Sequence, residues 1–372
     1  MDTFQVHQLR VSCEVQTPIR LNEHQGSAIR GALYNALRGS ADPRARWSGF
    51  CANKGAPNCA PCPVSGVCPV MRLVSTLDEQ GTYGRDAPRP YVINPPLPAD
   101  PVEGGAGTCY APGEHLTFDL LLAGEAAQLL PYVVLALDRL AYEGLGARCP
   151  AGDGRWRRGT ARIVRIDAVQ PLTGESSPVL RPNERVVHVP SLPVGQADVL
   201  AAAARLPDKG DLTLHFITPL RLIERGQLVK TPYFRPLLHR LVERVTSLAE
   251  NFSPATGGGA AGPAGAAGEA TVGPRAAKDE IRALRDAADA VALVENHTRW
   301  LELRGYSTRL GREQMLGGLA GRATYRAADW APFLPWLVWG TIIHAGKNAV
   351  KGDGWFGIEA GEVRVGLPGW AS

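Results

Sequence analysis

Two kinds of apolar spacing follow one another in a fixed order along this 372-residue chain, and that order constrains its fold more than any other feature. Period-two alternation marks a strand with one buried face; 3.6-residue spacing marks a helix with one. Leu9, Val11, Cys13 and Val15 alternate within 9–17. Residues 26–39 then place Ile29, Leu33, Ala36 and Leu37 on one helical face, with Gly39 suited to the stop. Leu116, Phe118, Leu120 and Leu122 alternate within 114–124, an apolar helix is predicted over 126–146, and 161–170 reads as a strand. The second round starts with Leu212, Leu214 and Phe216 in 211–219. Clean helical spacing fills 233–252, and a further helix is predicted over 277–296. Strands at 298–305 and 318–327, an apolar helix from Asp329 and a closing strand over 355–365 complete it.

Strand, helix, strands, helix, strand, used twice, is the α+β pattern of two tandem ferredoxin-like (RRM-like) domains. The expected division is 1–205 and 206–372. The Gly/Ala/Pro run "SPATGGGAAGPAGAAGEATVGP" makes 253–277 a flexible insertion with nothing to pack. A 45% apolar content supports real cores, and a net charge of +4 is compatible with an anionic partner. No run of eighteen apolar residues indicates a membrane helix, and the first fifteen residues are too polar for a signal peptide, so a cytoplasmic protein without a membrane partner is expected.

Four of the seven cysteines, Cys51, Cys59, Cys62 and Cys68, crowd into eighteen residues. In a cytosolic chain such a quartet reads as metal ligands rather than disulfides. Two thiolates separated by two residues grip one tetrahedral ion, and two more complete a closed, structural shell. Structural zinc is the expectation and an iron–sulfur cluster the alternative. The metal would fold the poorly apolar insertion at 48–72.

The stretch "HAGKNAVKGDGWFG", 344–357, combines glycines with Lys347 and Lys351 directly after an apolar helix. Glycines admit close backbone approach, and successive N–H groups can cradle phosphate. No Gly-Lys-Ser/Thr opens a helix here, so a mononucleotide P-loop does not fit. A polyanion backbone fits better; a plain glycine turn with solvated lysines is the alternative. Arg299, Arg304, Arg309, Arg312, Arg322 and Arg326 form one cationic cluster, and Arg155, Arg157, Arg158, Arg162 and Arg165 with Trp156 another. Arginine beside an aromatic suits phosphate contact with base stacking, so RNA is the expected ligand.

The ordered set "HQGSAIRGALYNALRG", "NCAPCPVSGVCP", "RPYVINPPL", "YAPGEHLTFDLLLAG", "FITPLRLIERGQLVKTPYFRPLLHRLVERV", "RGYSTRLGREQMLGGLAGRATY" and "LVWGTIIHAGK" resembles the CRISPR-associated RAMP endoribonucleases that cut precursor CRISPR RNA within its repeats, in a branch with a cysteine insertion. The resemblance implies two RAMP domains around a repeat RNA. It implies 2′-hydroxyl attack on the neighbouring phosphate without a catalytic metal, and retention of the mature CRISPR RNA. The alternative is a non-catalytic CRISPR RNA-binding subunit of an interference complex, and other effector subunits are further expected partners. By the same resemblance His24 and His344 are the acid–base candidates, Lys347 the phosphate stabiliser, and Tyr34 and Tyr306 weaker options. Expected RNA contacts are Arg30, Arg155, Arg158, Lys230, Arg304, Tyr306, Arg309, Gly346, Lys347, Lys351, Gly352 and Gly354. His215 falls on the opposite strand face from Leu214 and Phe216, and His239 and His297 lack a supporting motif. The loop departs from the family pattern: "NAV" stands where small hydroxyl residues are usual, and Lys351 where an aromatic is.

Overall fold

The computed structural model describes residues 3–40, 47–54, 59, 62–74, 88–97, 107–151, 153–254, 278–307 and 312–368. The low-complexity run from 255 to 277 and Arg309 lie outside these residues.

The first sheet consists of β1 (Val6–Val15), β2 (Tyr91–Asn94), β3 (His115–Ala123), β4 (Ala161–Val169) and β5 (Ser176–Leu180), in the order β2-β3-β1-β4-β5 with every neighbour antiparallel. Helix α1 (Gln25–Arg38) lies between β1 and β2 in sequence, and α2 (Leu130–Asp138) between β3 and β4. Helix α3 (Gln196–Ala203) then leads to the second sheet. That sheet is built from β6 (Gly210–Leu220), β7 (Ala292–Leu301), β8 (Gly318–Ala327), β9 (Phe356–Ala360) and β10 (Val363–Val365), ordered β7-β8-β6-β9-β10. Helices α4 (Phe234–Phe252) and α5 (Lys278–Ala288) precede β7, and α6 (Leu334–Ile343) precedes β9. The two halves therefore repeat one ferredoxin-like strand order.

Alternation sets the first core. Leu9, Val11 and Cys13 of β1 stand opposite Leu120, Phe118 and Leu116 of β3, and Ile29, Leu33 and Leu37 of α1 cover them. Farther along β3 the pattern becomes a continuous apolar run, because the sheet is covered on both faces there. Leu120 and Leu122 belong to the first core, while Leu121 and Ala123 join Val92, Val194 and Val199 in the core of the second half. In α4, Phe234, Leu237, Leu238, Leu241, Val242, Val245 and Leu248 are all buried, the stripe its spacing predicts.

Three expected elements end early. The helix predicted over 126–146 is a 3₁₀ turn, then α2 and a short helix Leu140–Glu143. Gly144, at φ 74°, stops it, and Leu145–Pro150 pairs with Trp156–Gly159 as a hairpin. The helix predicted over 277–296 stops at Ala288, and 292–301 forms a single strand whose alternation the alanine-rich sequence obscures. Gly361, at φ 59°, turns the closing strand into the β9–β10 hairpin.

The glycine-rich loop is bolted to the end of β6. Lys347 N–H donates to Arg221 O at 2.9 Å, Gly354 N–H to Pro219 O at 3.0 Å, and Thr218 Oγ1 donates to Gly352 O at 2.6 Å. Its other side rests on the first half. Gly26 in the first turn of α1 lies so close that a Cβ there would sit 1.8 Å from Lys351 O. Ala349 is buried and Val350 packs on the first core, which gives "NAV" a packing role where hydroxyl residues were expected.

Gly26 and Gly31 provide a matched test of this docking, since a Cβ at Gly31 would meet nothing within 4 Å. Gly26→Ala is expected to destabilise by about 1–3 kcal/mol through overpacking against backbone. Gly31→Ala is expected to stabilise by about 0.5–1 kcal/mol through helix propensity. Equal melting shifts for the two variants would refute the tight contact between helix and loop.

Candidate RNA-binding cleft and its histidine

A cleft of about 620 Å³ opens between the halves. One wall is the start of α1 with His24; another is the glycine-rich loop with Lys351, Gly352 and Asp353. The third is the exposed face of the second sheet. There the register places His297, Arg322 and His215 side by side across three strands. His215 Nε2 lies 3.3 Å from Glu359 Oε2, and His297 Nε2 lies 3.3 Å from Glu295 Oε2. Burial and the neighbouring Arg322 and Arg364 pull the His215 imidazole below its ordinary value, with Glu359 opposing. The cations Arg299, Arg322 and Lys351 outnumber the carboxylates Glu23 and Asp353 in the lining, so the cleft favours an anionic ligand.

His24 caps α1. Its Nδ1 accepts from Ser27 N–H at 3.3 Å and lies 2.9 Å from Ser27 Oγ, while Nε2 is 2.6 Å from Asp353 Oδ1. The backbone N–H at Nδ1 assigns the ring proton to Nε2, which donates to the carboxylate. Both partners are nearly out of solvent, at 6% and 2% side-chain exposure. Burial raises the Asp353 carboxyl, and His24 works against that rise.

Lys351 stands beside them, donating from Nζ to Gln314 Oε1 at 2.9 Å. Burial first, then the nearby Arg30, lowers its ammonium below the usual lysine range. Lys347, the expected phosphate stabiliser, does not line this cleft; it faces a second cavity on the other side of the loop. The two lysines sit four residues apart across a turn in which Asn348 (φ 62°) and Gly352 (φ 94°) are left-handed, so they point into different spaces.

His344 needs correction as an acid–base candidate. It is wholly buried at the end of α6, stacked on Trp355 with ring centroids 5.9 Å apart. Its Nδ1 lies 3.1 Å from Asp353 O and its Nε2 2.9 Å from Asn94 Oδ1. A neutral ring donating through Nδ1 uses Asn94 with its amide turned to donate. Burial, with Arg244 close by, pulls His344 down to about 3, so it stays neutral and braces the loop.

The other expected RNA contacts scatter. Arg30 is half-buried over the Tyr34 ring, and neither residue lines the cleft. Arg155 and Arg158 lie on the Leu145–Pro150/Trp156–Gly159 hairpin, outside the cleft lining. Lys230 sits 5.6 Å from the Trp300 ring centroid. Arg304 is exposed on a hairpin whose strands, Arg304–Ser307 and Arg312–Met315, also hold Tyr306 and Gln314. Gly346, Gly352 and Gly354 approach the protein's own backbone, at Arg221, Ile93 and Ala345. Their conservation of space is therefore internal, although Gly352 also lines the cleft. Asp353, His215 and His297 were the residues sequence reasoning passed over. Asp353 stood in view within "KGDG", but nothing in one sequence links it to His24, 329 positions away.

Cys59 and Cys62 share a turn, with Cys62 N–H donating to Cys59 O at 3.1 Å, and Cys68 starts the short helix Pro69–Leu73. Among the described residues no three His, Cys, Asp or Glu side chains come together to hold a metal, so the four sulfurs are not gathered about one point.

Two ferredoxin-like halves that clasp a cationic cleft, with a glycine-rich loop as the clasp, define a tandem ferredoxin-like architecture with a site for an anionic ligand. Residues 4–192 match the family model of the AF_1859_N N-terminal domain, and residues 214–356 that of CRISPR-associated endoribonuclease Cas6. The first half of the chain thus carries the AF_1859_N N-terminal domain, and the second half is similar to the CRISPR-associated endoribonuclease Cas6. Among solved structures, a chain of a partial Cas6-RT-Cas1–Cas2 complex is similar over 99% of this chain and 48% of its own, at 10% identity and TM-score 0.55. A chain of a Cas6-RT-Cas1–Cas2 complex matches at the same identity and score, with 30% of its length covered. This chain thus spans half or less of those two. A Cas6 of Thermus thermophilus aligns over 95% of this chain and 98% of its own, at 12% identity and TM-score 0.48. No curated protein matches in sequence. No helix among the described residues is long and apolar enough to cross a membrane.

The bracing role of His344 predicts a pH signature. Between pH 6.5 and about 3 the unfolded chain binds a proton at this position that the folded chain refuses. Stability from this residue is therefore complete above pH 6.5 and falls on acidification, by at most about 1.4 kcal/mol per pH unit. Unfolding of His344→Gln should lack that component, so its free-energy gap from the wild type narrows as pH drops through the window. Parallel pH profiles would show that His344 is not held neutral.

Proposed function

We propose that this protein is a metal-independent endoribonuclease that cuts precursor CRISPR RNA within its repeats and stays on the mature CRISPR RNA. One observation carries the reading: His24 and Lys351 face the same cleft, between the halves, beside Arg299 and Arg322. The match of residues 214–356 to the Cas6 endoribonuclease model supports RNA as the substrate class.

In the proposed step the substrate 2′-oxygen attacks the adjacent phosphorus while the bond to the leaving 5′-oxygen breaks. The products are a 2′,3′-cyclic phosphate and a 5′-hydroxyl. His24 takes the 2′-hydroxyl proton at Nδ1 once the Ser27 hydroxyl turns away, and Asp353 stabilises the resulting imidazolium through Nε2–H. Lys351, with its ammonium already weakened by burial, stabilises the phosphorane charge and supplies a proton to the leaving oxygen.

A second reading is a subunit that holds CRISPR RNA without turnover. It is favoured by the engagement of both His24 nitrogens and by the 8% exposure of that residue. A Cas6-RT-Cas1–Cas2 complex holds a chain of this fold, which supports association with other CRISPR proteins under either reading.

End-labelled cognate repeat RNA incubated with the protein in EDTA tests the step. Cleavage is expected, and one 2′-deoxy at the cut site should abolish it. His24→Ala should lose at least about 100-fold in rate. Asp353→Asn should lose about 10-fold or more, with little change in RNA affinity. Tight binding with no cleavage would leave the holding subunit.

Structural zinc on Cys51, Cys59, Cys62 and Cys68 remains part of the proposal, the thiolates gathering about the ion as it binds. One zinc per chain is expected on release with a thiol-blocking mercurial, and none from Cys59→Ser/Cys62→Ser protein. Zinc-free protein with native stability would remove it.

A further inference from the structure

On the far side of the glycine-rich loop from the His24 cleft lies a second cavity, of about 220 Å³. Its wall brings together Arg221, Arg240, Arg244 and Lys347 with a single carboxylate, Glu243. That carboxylate is committed, since Arg240 Nη1 donates to Glu243 Oε2 at 2.6 Å. Arg240 also donates from Nε and Nη2 to Ile223 O, and Arg221 Nη1 donates to Gly317 O at 2.9 Å.

Arg244 is the unusual member. Its Nε donates to Ile343 O at 2.8 Å, but Nη2 is out of solvent with no hydrogen-bond partner among the described residues. Burial pulls the guanidinium down to about 10. A guanidinium nitrogen shut off from water and unpaired is costly, and folded proteins normally give such a donor a partner. Lys347 adds an exposed ammonium at the mouth, from the residue that follows Gly346 in the loop. A planar guanidinium with Nη2 unpartnered, beside an exposed ammonium, is suited to one tetrahedral oxyanion.

We propose that this cavity is a phosphate-binding site, distinct from the cleft, in which Arg244 and Lys347 take one phosphate group. Resting on the RNA reading above, the occupant is a backbone phosphate of the bound strand, held on the opposite side of the loop from the cutting position. The same chemistry would accept free inorganic phosphate.

Two measurements separate these sources. The first is thermal unfolding of the full chain in sodium phosphate against sodium chloride at equal ionic strength. The second is the salt dependence of affinity for a fluorescein-labelled single-stranded repeat RNA. Wild-type melting should rise with phosphate, and Arg244→Met and Lys347→Ala should each lose that rise. Each variant should also bind the RNA about tenfold more weakly. The slope of log affinity against log salt should be shallower by about 0.7, one phosphate of a single strand. Loss of the phosphate rise with an unchanged RNA slope would keep the site and assign it to free phosphate. If wild-type protein bound no RNA, the function reading would fail while the melting comparison still decided the site. Both variants matching wild type in both measurements would overturn the proposal; Lys347→Ala, at an exposed side chain, keeps that outcome readable should Arg244→Met fail to fold.

Discussion

At the cleft the two halves are tied together through Asp353 of the glycine-rich loop. Two of the contacts that Asp353 accepts come from the histidine rings on either side of it. Its carboxylate takes the His24 Nε2–H at 2.6 Å, and its carbonyl lies 3.1 Å from His344 Nδ1. The first bond reaches the opening turn of α1, and His344 in turn reaches Asn94 on β2. Both of those partners belong to the first half, while Asp353 and His344 belong to the second. A buried hydrogen bond to a charged group contributes about 1.5–3 kcal/mol. What matters more is placement: if the loop shifted, His24 would lose its tautomer, α1 its close seat and the cleft one wall together.

That arrangement explains why the loop is rich in glycine. His344, Gly346, Asn348, Gly352 and Gly354 all have positive φ, so the chain reverses hand repeatedly in eleven residues. A Cβ on Gly354 would sit 1.8 Å from Ala345 O, and one on Gly352 would sit 2.7 Å from Ile93 O. Close approach is therefore demanded by the protein itself before any ligand arrives. The loop becomes a thin partition, with Lys351 on the cleft side and Lys347 on the cation-rich side. A thin wall with opposite-facing cations suits a polyanion that passes around it.

Much of the fold was legible because its cores follow simple periods. Leu9 to Val15 and Leu212 to Phe216 alternate, α4 keeps its stripe, and the doubled order of elements gave the architecture. Boundaries failed where local sequence is neutral. The alanine-rich passage from α5 into β7 fits either state, and the strand is decided by pairing with β8, Leu293 against Tyr325 and Trp300 against Leu319. The site was half legible. His24 was visible from its position before α1 and Lys351 from the loop. His344 looked equally plausible, since a sequence does not reveal that α6 ends inside the core. Asp353, His215 and His297 depended on contacts between strands and halves far apart in sequence.

The same contacts set how binding and cleavage can part company. Asp353 fixes Nε2 firmly, so any proton taken by His24 has to arrive at Nδ1. There the Ser27 hydroxyl at 2.9 Å is a rotor, and giving up one such neutral hydrogen bond costs about 1 kcal/mol. The Ser27 N–H at 3.3 Å is long, as expected of a weak cap. Both losses are small beside the barrier reduction that a positioned base supplies, which is about 3–5 kcal/mol for a 10²–10⁴-fold effect. On the proposed reading, the resting geometry holds His24 in a protected state from which substrate contact releases it. A strand that reached the cationic wall but failed to displace the Ser27 contacts would be bound and left intact. Holding RNA and cutting it are, on the proposed reading, two settings of one imidazole rather than the properties of two different folds.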